Sequence, residues 1–148
     1  VGIVTEHDGV RWARAFLGDD PFLIGDAEAI VKVDLFDPGL AAFDTMVAHG
    51  LRHLLVYDGD ALTGVISWRD LIVEDVLGWR RGTVRDLLRS DRPVVLPLGV
   101  SLRLIAERMV ALRIGCLPLV DEDGAVRAVV GRGDIIGAGL RAARSAHP

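Results

Sequence analysis

The strongest constraint on the fold of this 148-residue chain is an internal repeat. Met46 aligns with Met109 at an offset of 63 residues, and one extra residue in a later turn brings residues 64–70 into register with residues 128–134. A third copy of this last segment, residues 2–8, opens the chain. Self-similarity at such a period indicates a duplicated supersecondary unit. Because one unit of this size is too small to bury its own core, we expect the two units to pack on each other.

Each full copy starts with a short extended segment, followed by an amphipathic helix. In the first copy Asp37 is the predicted N-cap, Pro38 occupies the first turn and Gly50 ends the helix. In the second copy the helix starts at Ser101. Apolar residues recur at helical spacing and predict one apolar stripe on each helix. These residues are Leu40, Phe43 and Val47 in the first copy and Leu102, Ile105, Met109 and Leu112 in the second. The extended segments contain Val31 and Val33, and Val94 and Val95.

Two strands and a second helix complete each copy. Short apolar runs at residues 54–57 and 117–120 predict strands, and turn residues rich in Asp and Gly connect each run to a further strand, as in a hairpin. The last strands end at Ser67 and Gly131, and the second helices follow at once. Residues 83–89 predict a further short helix, and residues 24–30 are its counterpart before the first copy.

The predicted fold class is α+β. Each copy has the order β-α-β-β-α, and we expect the two copies to stack sheet to sheet about a pseudo-twofold axis. The predicted divisions are residues 1–20, a strand and helix that end a preceding copy, residues 21–82 for the first repeat and residues 83–148 for the second.

Composition excludes several other classes. Hydrophobic residues make up 51% of the chain, which is enough for a packed core, but no run approaches the roughly 18 apolar residues that cross a bilayer. A formal net charge of −4 disfavours a nucleic-acid-binding domain. The single cysteine, Cys116, excludes an internal disulfide and a cysteine-based zinc cage. We therefore expect a soluble, cytoplasmic protein without a nucleic-acid or membrane partner.

These features together resemble a known family. The order of elements, the Leu-Pro-Leu-Val-Asp run at residues 117–121 and the repeated Gly-x-x-Thr/Ser-x-x-Asp pattern are similar to tandem cystathionine β-synthase (CBS) domains, which form a Bateman module. The resemblance covers residues 30–143. It implies a non-catalytic regulatory module, which binds AMP, ADP, ATP or S-adenosylmethionine between its repeats. It also implies a homodimer, with an effector domain that is either fused or separate.

The Ser67-x-x-Asp70 motif is the leading candidate for ligand binding. The start of a helix exposes unpaired amides and partial positive charge, which suit a phosphate, and the Ser67 hydroxyl adds a donor. Asp70 can accept hydrogen bonds from the two hydroxyls of a ribose. The resemblance implies the same roles, with adenine between the two sheets. The alternative is that Ser-x-x-Asp is only a capping box, which needs no ligand.

Basic residues surround this motif in the sequence. Arg52 and His53 precede the central strand of the first copy, and the resemblance implies that they point towards ligand phosphates. Arginine can donate two parallel hydrogen bonds to such a group, and histidine adds a donor that depends on pH. Arg69 is a further candidate. The alternative for these residues is a solvated position at the edge of a strand or helix.

The second copy departs from the pattern. Gly131 replaces the hydroxyl residue and Gly115-Cys116 replaces the basic pair, whereas Asp134 and Arg132 remain. We expect a weak or empty second site, because each missing charge-assisted hydrogen bond costs about 1.5–3 kcal/mol. Leu55 also replaces a proline usual in the family, which changes the shape of the first site.

The opening copy is incomplete. Thr5 and Asp8 form an intact motif, but the strands and helix that complete a cleft are absent. This segment is therefore a weaker candidate. It either packs as an appendage, completes a site with another chain, or belongs with sequence upstream.

Two functions remain open. The first is a regulatory sensor that changes conformation when an adenosyl ligand binds. The second is a structural or oligomerisation module whose nucleotide sites have decayed. An enzyme is disfavoured, because the four histidines lack metal-ligand spacing and Cys116 has the setting of a core residue. The tryptophans are predicted to be packing residues, with a dimer face as a further role. They are Trp12, Trp68 and Trp79.

Overall fold

The chain folds into two compact units. The computed structural model describes residues 4–22, 30–73, 81–89 and 92–146. The first unit consists of Ile30–Val94, and the second combines Val1–Ala29 with Val95–Pro148. Each unit holds one three-stranded sheet, so the α+β class is confirmed. The predicted short helix at residues 24–30 lies, apart from Ile30, outside the described residues, as do Trp79 and His147.

The sheet of the first unit combines one parallel and one antiparallel pair. Strand β1 pairs in parallel with β2, and β2 pairs antiparallel with β3. Helix α2 makes the crossover between the parallel strands, as such a pair requires. The elements are β1 (Lys32–Asp34), α2 (Gly39–His49), β2 (His53–Asp58), β3 (Ala61–Ser67), α3 (Trp68–Val73) and a 3₁₀ helix (Val84–Leu87). The 3₁₀ helix confirms the short helix predicted at residues 83–89.

The second unit repeats this sheet and adds a helix from the start of the chain. Its elements are α1 (Glu6–Ala13), β4 (Leu96–Pro97), α4 (Leu102–Leu112), β5 (Cys116–Val120), β6 (Val126–Gly131) and α5 (Arg132–Ala146). Strand β4 is parallel to β5, and β5 is antiparallel to β6. The sequence places the first extended segment of this copy at Val94 and Val95, but β4 begins one residue after them, at Leu96. Val94 and Val95 are each more than a third exposed.

The backbone reproduces the sequence repeat in detail. The register of the β2–β3 pair shifts between Val56 and Tyr57, and that of the β5–β6 pair shifts at the corresponding position, between Leu119 and Val120. The first amide of α3 donates to the Arg52 carbonyl oxygen at 2.8 Å, and the first amide of α5 donates to the Gly115 carbonyl oxygen at 3.1 Å. The offset of the sequence repeat therefore also relates equivalent backbone hydrogen bonds in the two units.

Helix α2 buries a different stripe from the one predicted. Ala42 and Met46 are almost fully buried, whereas Leu40 is 44% and Val47 57% exposed. The helix is apolar on two faces, and the face with the small alanine lies against the sheet because it allows a closer approach. The prediction of the N-cap was also wrong: Pro38 takes that position, and the Asp37 carboxylate instead accepts a hydrogen bond from the Asp34 amide at 2.9 Å.

Helix α1 packs within the second unit, mainly against α5 and also against α4. Its Val10 and Ala13 are buried. The approach is close because glycines lie at the contact: a Cβ atom on Gly139 would lie 2.5 Å from Ala13 Cβ, and one on Gly9 would lie 2.7 Å from Ile136 Cδ1. The opening segment is thus held by its own chain.

Two glycines of α5 give a matched test of this contact. Gly139→Ala is expected to lower the free energy of unfolding by about 1–3 kcal/mol, because the new methyl group collides with Ala13. At Gly137 an added Cβ would lie 3.5 Å from Arg141 Nη1, an ordinary van der Waals contact, so Gly137→Ala is expected to raise it by up to about 1 kcal/mol through helix propensity. Chemical denaturation measures both. Equal effects of the two substitutions would contradict this close packing.

The ends of α2 and α4 give a second prediction. Gly50 ends α2 with φ of 62°, and Arg113, its counterpart after α4, adopts φ of 55°. A side chain in this left-handed region is strained, whereas glycine is not. Arg113→Gly is therefore expected to raise the free energy of unfolding by about 1 kcal/mol, and Gly50→Arg to lower it by a similar amount. A stability loss in Arg113→Gly, measured by urea unfolding, would contradict this assignment.

Candidate functional site

The Ser67-x-x-Asp70 motif joins the end of β3 to the start of α3. Asp70 Oδ2 accepts hydrogen bonds from the Ser67 amide at 2.7 Å and from the Ser67 hydroxyl at 2.7 Å. The Asp70 amide lies 3.4 Å from Ser67 Oγ, which closes a capping box. The carboxylate thereby fixes the direction in which the helix leaves the sheet.

The second oxygen of Asp70 has a partner that the sequence pattern does not reveal. Arg89 Nε lies 3.1 Å from Asp70 Oδ1, and the Asp70 side chain is only 14% exposed whereas that of Arg89 is 61% exposed. Arg89 follows the 3₁₀ helix, some twenty residues along the chain from Asp70. No periodicity or motif in the sequence marks this pair.

The structure brings most of the predicted site residues of the first unit to one end of its sheet. His53 opens β2 directly opposite Ser67 at the end of β3. Arg52 precedes His53 and is exposed, His53 is half-buried, and Arg69 is exposed in the first turn of α3. The positions of two arginines, a histidine, a serine and an aspartate therefore lie together in the chain segments where β3 meets α3. This set of groups can bind an anion and a diol together.

Leu55 shows what replaces the expected proline. The residue is buried in β2, and its amide donates to the Val31 carbonyl oxygen at 3.1 Å. A proline has no amide hydrogen and cannot make this bond. The substitution therefore adds a bond between β2 and the segment before β1.

The second unit retains the carboxylate but has lost its polar neighbours. Asp134 Oδ2 accepts from the Gly131 amide at 2.7 Å, and Cys116, rather than a basic residue, lies opposite Gly131. The Arg132 side chain is 13% exposed, and its Nη1 lies 4.0 Å from the Glu6 carboxylate on α1. The Arg132 guanidinium thus faces a carboxylate of its own chain, at the longest distance of an ion pair.

The opening motif is a complete capping box. Asp8 Oδ2 accepts from the Thr5 amide at 2.9 Å and from the Thr5 hydroxyl at 2.7 Å. The hydrogen bond from the Thr5 hydroxyl has the largest effect on the pKa of Asp8, followed by that from the Thr5 amide. Both lower this pKa below its ordinary value, because they favour the charged carboxylate. Both residues belong to the helix start that packs in the second unit.

A fourth copy of the motif was missed, although Thr83 and Asp86 have the same spacing. Asp86 Oδ2 accepts from the Thr83 amide at 2.8 Å and lies 3.3 Å from the Thr83 hydroxyl. This copy precedes only a four-residue 3₁₀ helix. The capping geometry therefore forms wherever the spacing occurs, and the motif alone does not identify a ligand site.

A cavity of the first unit lies at the opposite end of β2 from Ser67. It measures about 340 Å³, and its lining includes Lys32, Asp34 and Tyr57. The Lys32 ammonium is held 4.5 Å from the centre of the Tyr57 ring. The lining does not include Ser67 or Asp70, so the cavity and the capping motif are separate features of the first unit.

Cys116, Trp12 and Trp68 occupy packing positions. Cys116 is buried in β5. Trp12 packs 4.8 Å from Phe16, and Trp68 stacks 5.3 Å from Phe43 by ring centroids. Among the described residues, no three His, Cys, Asp or Glu side chains are grouped to hold a metal ion, and no helix of those residues is long and apolar enough to cross a membrane.

The comparisons with known proteins agree on one family. A family model described as CBS domain matches residues 27–76 and 84–141. A curated relative, protein MJ1225 of Methanocaldococcus jannaschii, is 26% identical over 151 residues, which cover 92% of this chain and 53% of that protein. The chain thus spans about half the length of this relative.

Solved structures show the same fold. That of MJ1225, which has been proposed as an archaeal homologue of g-AMPK, gives a TM-score of 0.76 at 21% identity and covers 93% of this chain and 54% of its own. A CBS-domain protein of Burkholderia ambifaria, proposed to act in signal transduction, gives 0.72 at 21% identity and covers 89% and 93%. The cytosolic domain of the Mg²⁺ channel MgtE in complex with ATP gives 0.63 at 22% identity and covers 88% and 53%.

Proposed function

Because the chain belongs to the CBS-domain family, we propose that it is a non-catalytic regulatory module that binds an adenosyl ligand through its first unit. The candidate ligands are AMP, ADP, ATP and S-adenosylmethionine. Binding would favour one conformation over another, and a fused or separate effector domain would respond to the change. Such a module acts in the cytoplasm, without a nucleic-acid or membrane partner of its own.

One observation supports this proposal above the others. Arg52, His53 and Ser67 lie at the same end of the first sheet as Asp70. In the proposed complex, Arg52 and His53 bind the phosphate and Asp70 binds the ribose hydroxyls, while the Ser67 hydroxyl holds Asp70 in place. Arg69, exposed in the next turn, is available to the same phosphate. The ATP in the complex of the MgtE cytosolic domain belongs to the same chemical class of ligand.

The other motifs are proposed to contribute less. The second unit has Asp134 for a ribose, but it has no hydroxyl at residue 131, and Arg132 already faces Glu6. The Thr5 and Asp8 motif lies on a helix that packs against α5. We therefore propose one effective adenosyl site, built on Asp70, and a weak or empty site at Asp134.

A structural module is the second candidate function. Its support is that each of the four carboxylates accepts a hydrogen bond from the backbone amide three residues before it and therefore already has a capping role. On this interpretation the polar groups near Ser67 only stabilise a helix start, and the module serves to assemble subunits. Ligand binding separates the two candidates.

The test uses thermal unfolding with AMP, ADP, ATP, S-adenosylmethionine and NADH. A true ligand at about a hundred times its Kd is expected to stabilise the protein by about 2.7 kcal/mol. We expect Asp70→Asn to abolish this stabilisation and Asp134→Asn to change it little.

Asp86→Asn is the matched control for the test, because Asp86 makes the same cap as Asp70 at the start of a different helix. It is expected to keep the full ligand-induced stabilisation. The reverse ranking of Asp70 and Asp134 would refute the choice of site, and no stabilisation by any compound would favour the structural module.

We also propose that the protein is a homodimer and that the outer face of α2 and α3 forms the interface. This face, called here the α2–α3 face, exposes Leu40, Val47, Trp68 and Ile72, each at more than a third of its surface. Neighbouring exposed apolar side chains of this kind characterise protein–protein contacts. The stacking of Phe43 on Trp68 gives the face a rigid aromatic centre.

The dimer proposal predicts a change in mass on substitution. Val47→Glu places a charge on the α2–α3 face and is expected to convert the dimer to monomer at micromolar concentration, measured by light scattering after gel filtration. Leu112→Glu is the control, because Leu112 is 45% exposed at the end of α4, away from this face in the chain. A wild-type monomer, or an intact dimer in Val47→Glu, would contradict the proposal.

A further inference from the structure

We propose that Arg89 makes the Asp70 site selective for phosphorylated adenosyl ligands. In this structure Arg89 forms an ion pair with Oδ1 of Asp70. When a nucleotide binds, Arg89 transfers to the phosphate and the ribose takes its place on Asp70. This inference rests on the proposed function, and it adds a determinant of ligand choice that no motif of the chain indicates.

Both oxygens of the Asp70 carboxylate already have partners in this structure. Oδ2 accepts from both the amide and the hydroxyl of Ser67. Oδ1 is 3.1 Å from Arg89 Nε. A carboxylate has about four acceptor positions, so Oδ1 keeps one beside Arg89. A ribose diol that places both of its hydroxyls on Oδ1 displaces Arg89, because the bonds to Ser67 hold the helix start and are the costlier ones to break.

The base of Arg89 is fixed close to Asp70. The preceding 3₁₀ helix is attached to the first unit by two backbone hydrogen bonds, from the Val84 amide to the Asp37 carbonyl oxygen at 2.9 Å and from the Arg85 amide to the Leu35 carbonyl oxygen at 2.9 Å. The guanidinium is exposed and long-stemmed, whereas Asp70 is largely buried. The displaced guanidinium thus stays beside the bound ribose, within reach of a phosphate on it.

The charge of the ligand then determines whether displacing Arg89 from Asp70 strengthens or weakens binding. A nucleotide provides a phosphate, which forms strong paired hydrogen bonds with a guanidinium. Adenosine is neutral, so the Arg89 side chain that it displaces from Asp70 is solvated and gains no ion pair with the ligand. S-adenosylmethionine carries a sulfonium near the ribose, which the guanidinium repels. The site is expected to prefer AMP over adenosine, and adenosine over S-adenosylmethionine.

The test is isothermal titration of the full chain with AMP and adenosine. In Arg89→Gln, AMP is expected to bind about tenfold more weakly through the loss of a charge-assisted hydrogen bond. Adenosine is expected to bind about two- to fivefold more tightly, because its competitor for Asp70 is gone. The two changes have opposite signs, which a folding defect does not produce.

Salt gives an independent signature. Added salt weakens an exposed ion pair, so the affinity of the wild-type protein for neutral adenosine is expected to rise between about 50 and 500 mM NaCl, towards that of Arg89→Gln. The affinity of Arg89→Gln is expected to stay constant. Arg85→Gln is the control for both measurements, because Arg85 is also exposed and lies on the 3₁₀ helix that precedes Arg89.

The outcomes separate this inference from the proposed function. Binding of AMP and adenosine by the wild type, with no change or equal changes in Arg89→Gln, overturns the role of Arg89 and leaves the adenosyl site standing. Failure of both ligands to bind either protein overturns both. Binding of adenosine by Arg89→Gln alone supports the role of Arg89 as its competitor.

Discussion

In each unit, a carboxylate accepts a hydrogen bond from the backbone amide three residues before it, and this bond sets the geometry of the junction between strand and helix. At Asp70 and Asp134 this bond fixes the junction between the last strand of a sheet and the following helix. Because the carboxylate satisfies amides that a helix start leaves unpaired, the chain can turn sharply there without an unpaired buried donor. The rest of each unit, from the strand register to the placement of the polar side chains, is built outward from this junction.

The same constraint explains how one unit keeps its polar groups while the other loses them. A glycine at position 131 still provides the amide that Asp134 needs, so the junction survives without a hydroxyl. The neighbouring strand also tolerates substitution at this position. Cys116 pairs with Gly131 in the second sheet, as His53 pairs with Ser67 in the first. The junction therefore needs only the carboxylate and the amide, whereas the polar neighbours of Asp70 are the residues to which the proposed function assigns ligand binding.

Much of this could be predicted from the sequence because the relevant signals are local. Turn residues, apolar strands and the spacing of Ser67 and Asp70 act within a few residues, and the repeat presents each of these signals twice. The buried side of α2 could not be predicted, since both of its faces are apolar and the choice of Ala42 and Met46 depends on the sheet beneath. The pairing of Arg89 with Asp70 and the packing of α1 on α5 join distant parts of the chain, and no periodic pattern encodes such contacts.

The packing of α1 against α5 also bears on the order in which the protein is made. Helix α1 leaves the ribosome well before its partner α5, which lies more than a hundred residues further along the chain. The first unit, a continuous stretch of chain, can reach its native state during synthesis. Until α5 is made, Ala13 lacks the Gly139 surface that it packs against in the folded protein. The second unit can therefore be completed only when α5 has been synthesised. In a nascent chain stalled before α5, helix α1 would keep an exposed apolar surface to which chaperones could bind.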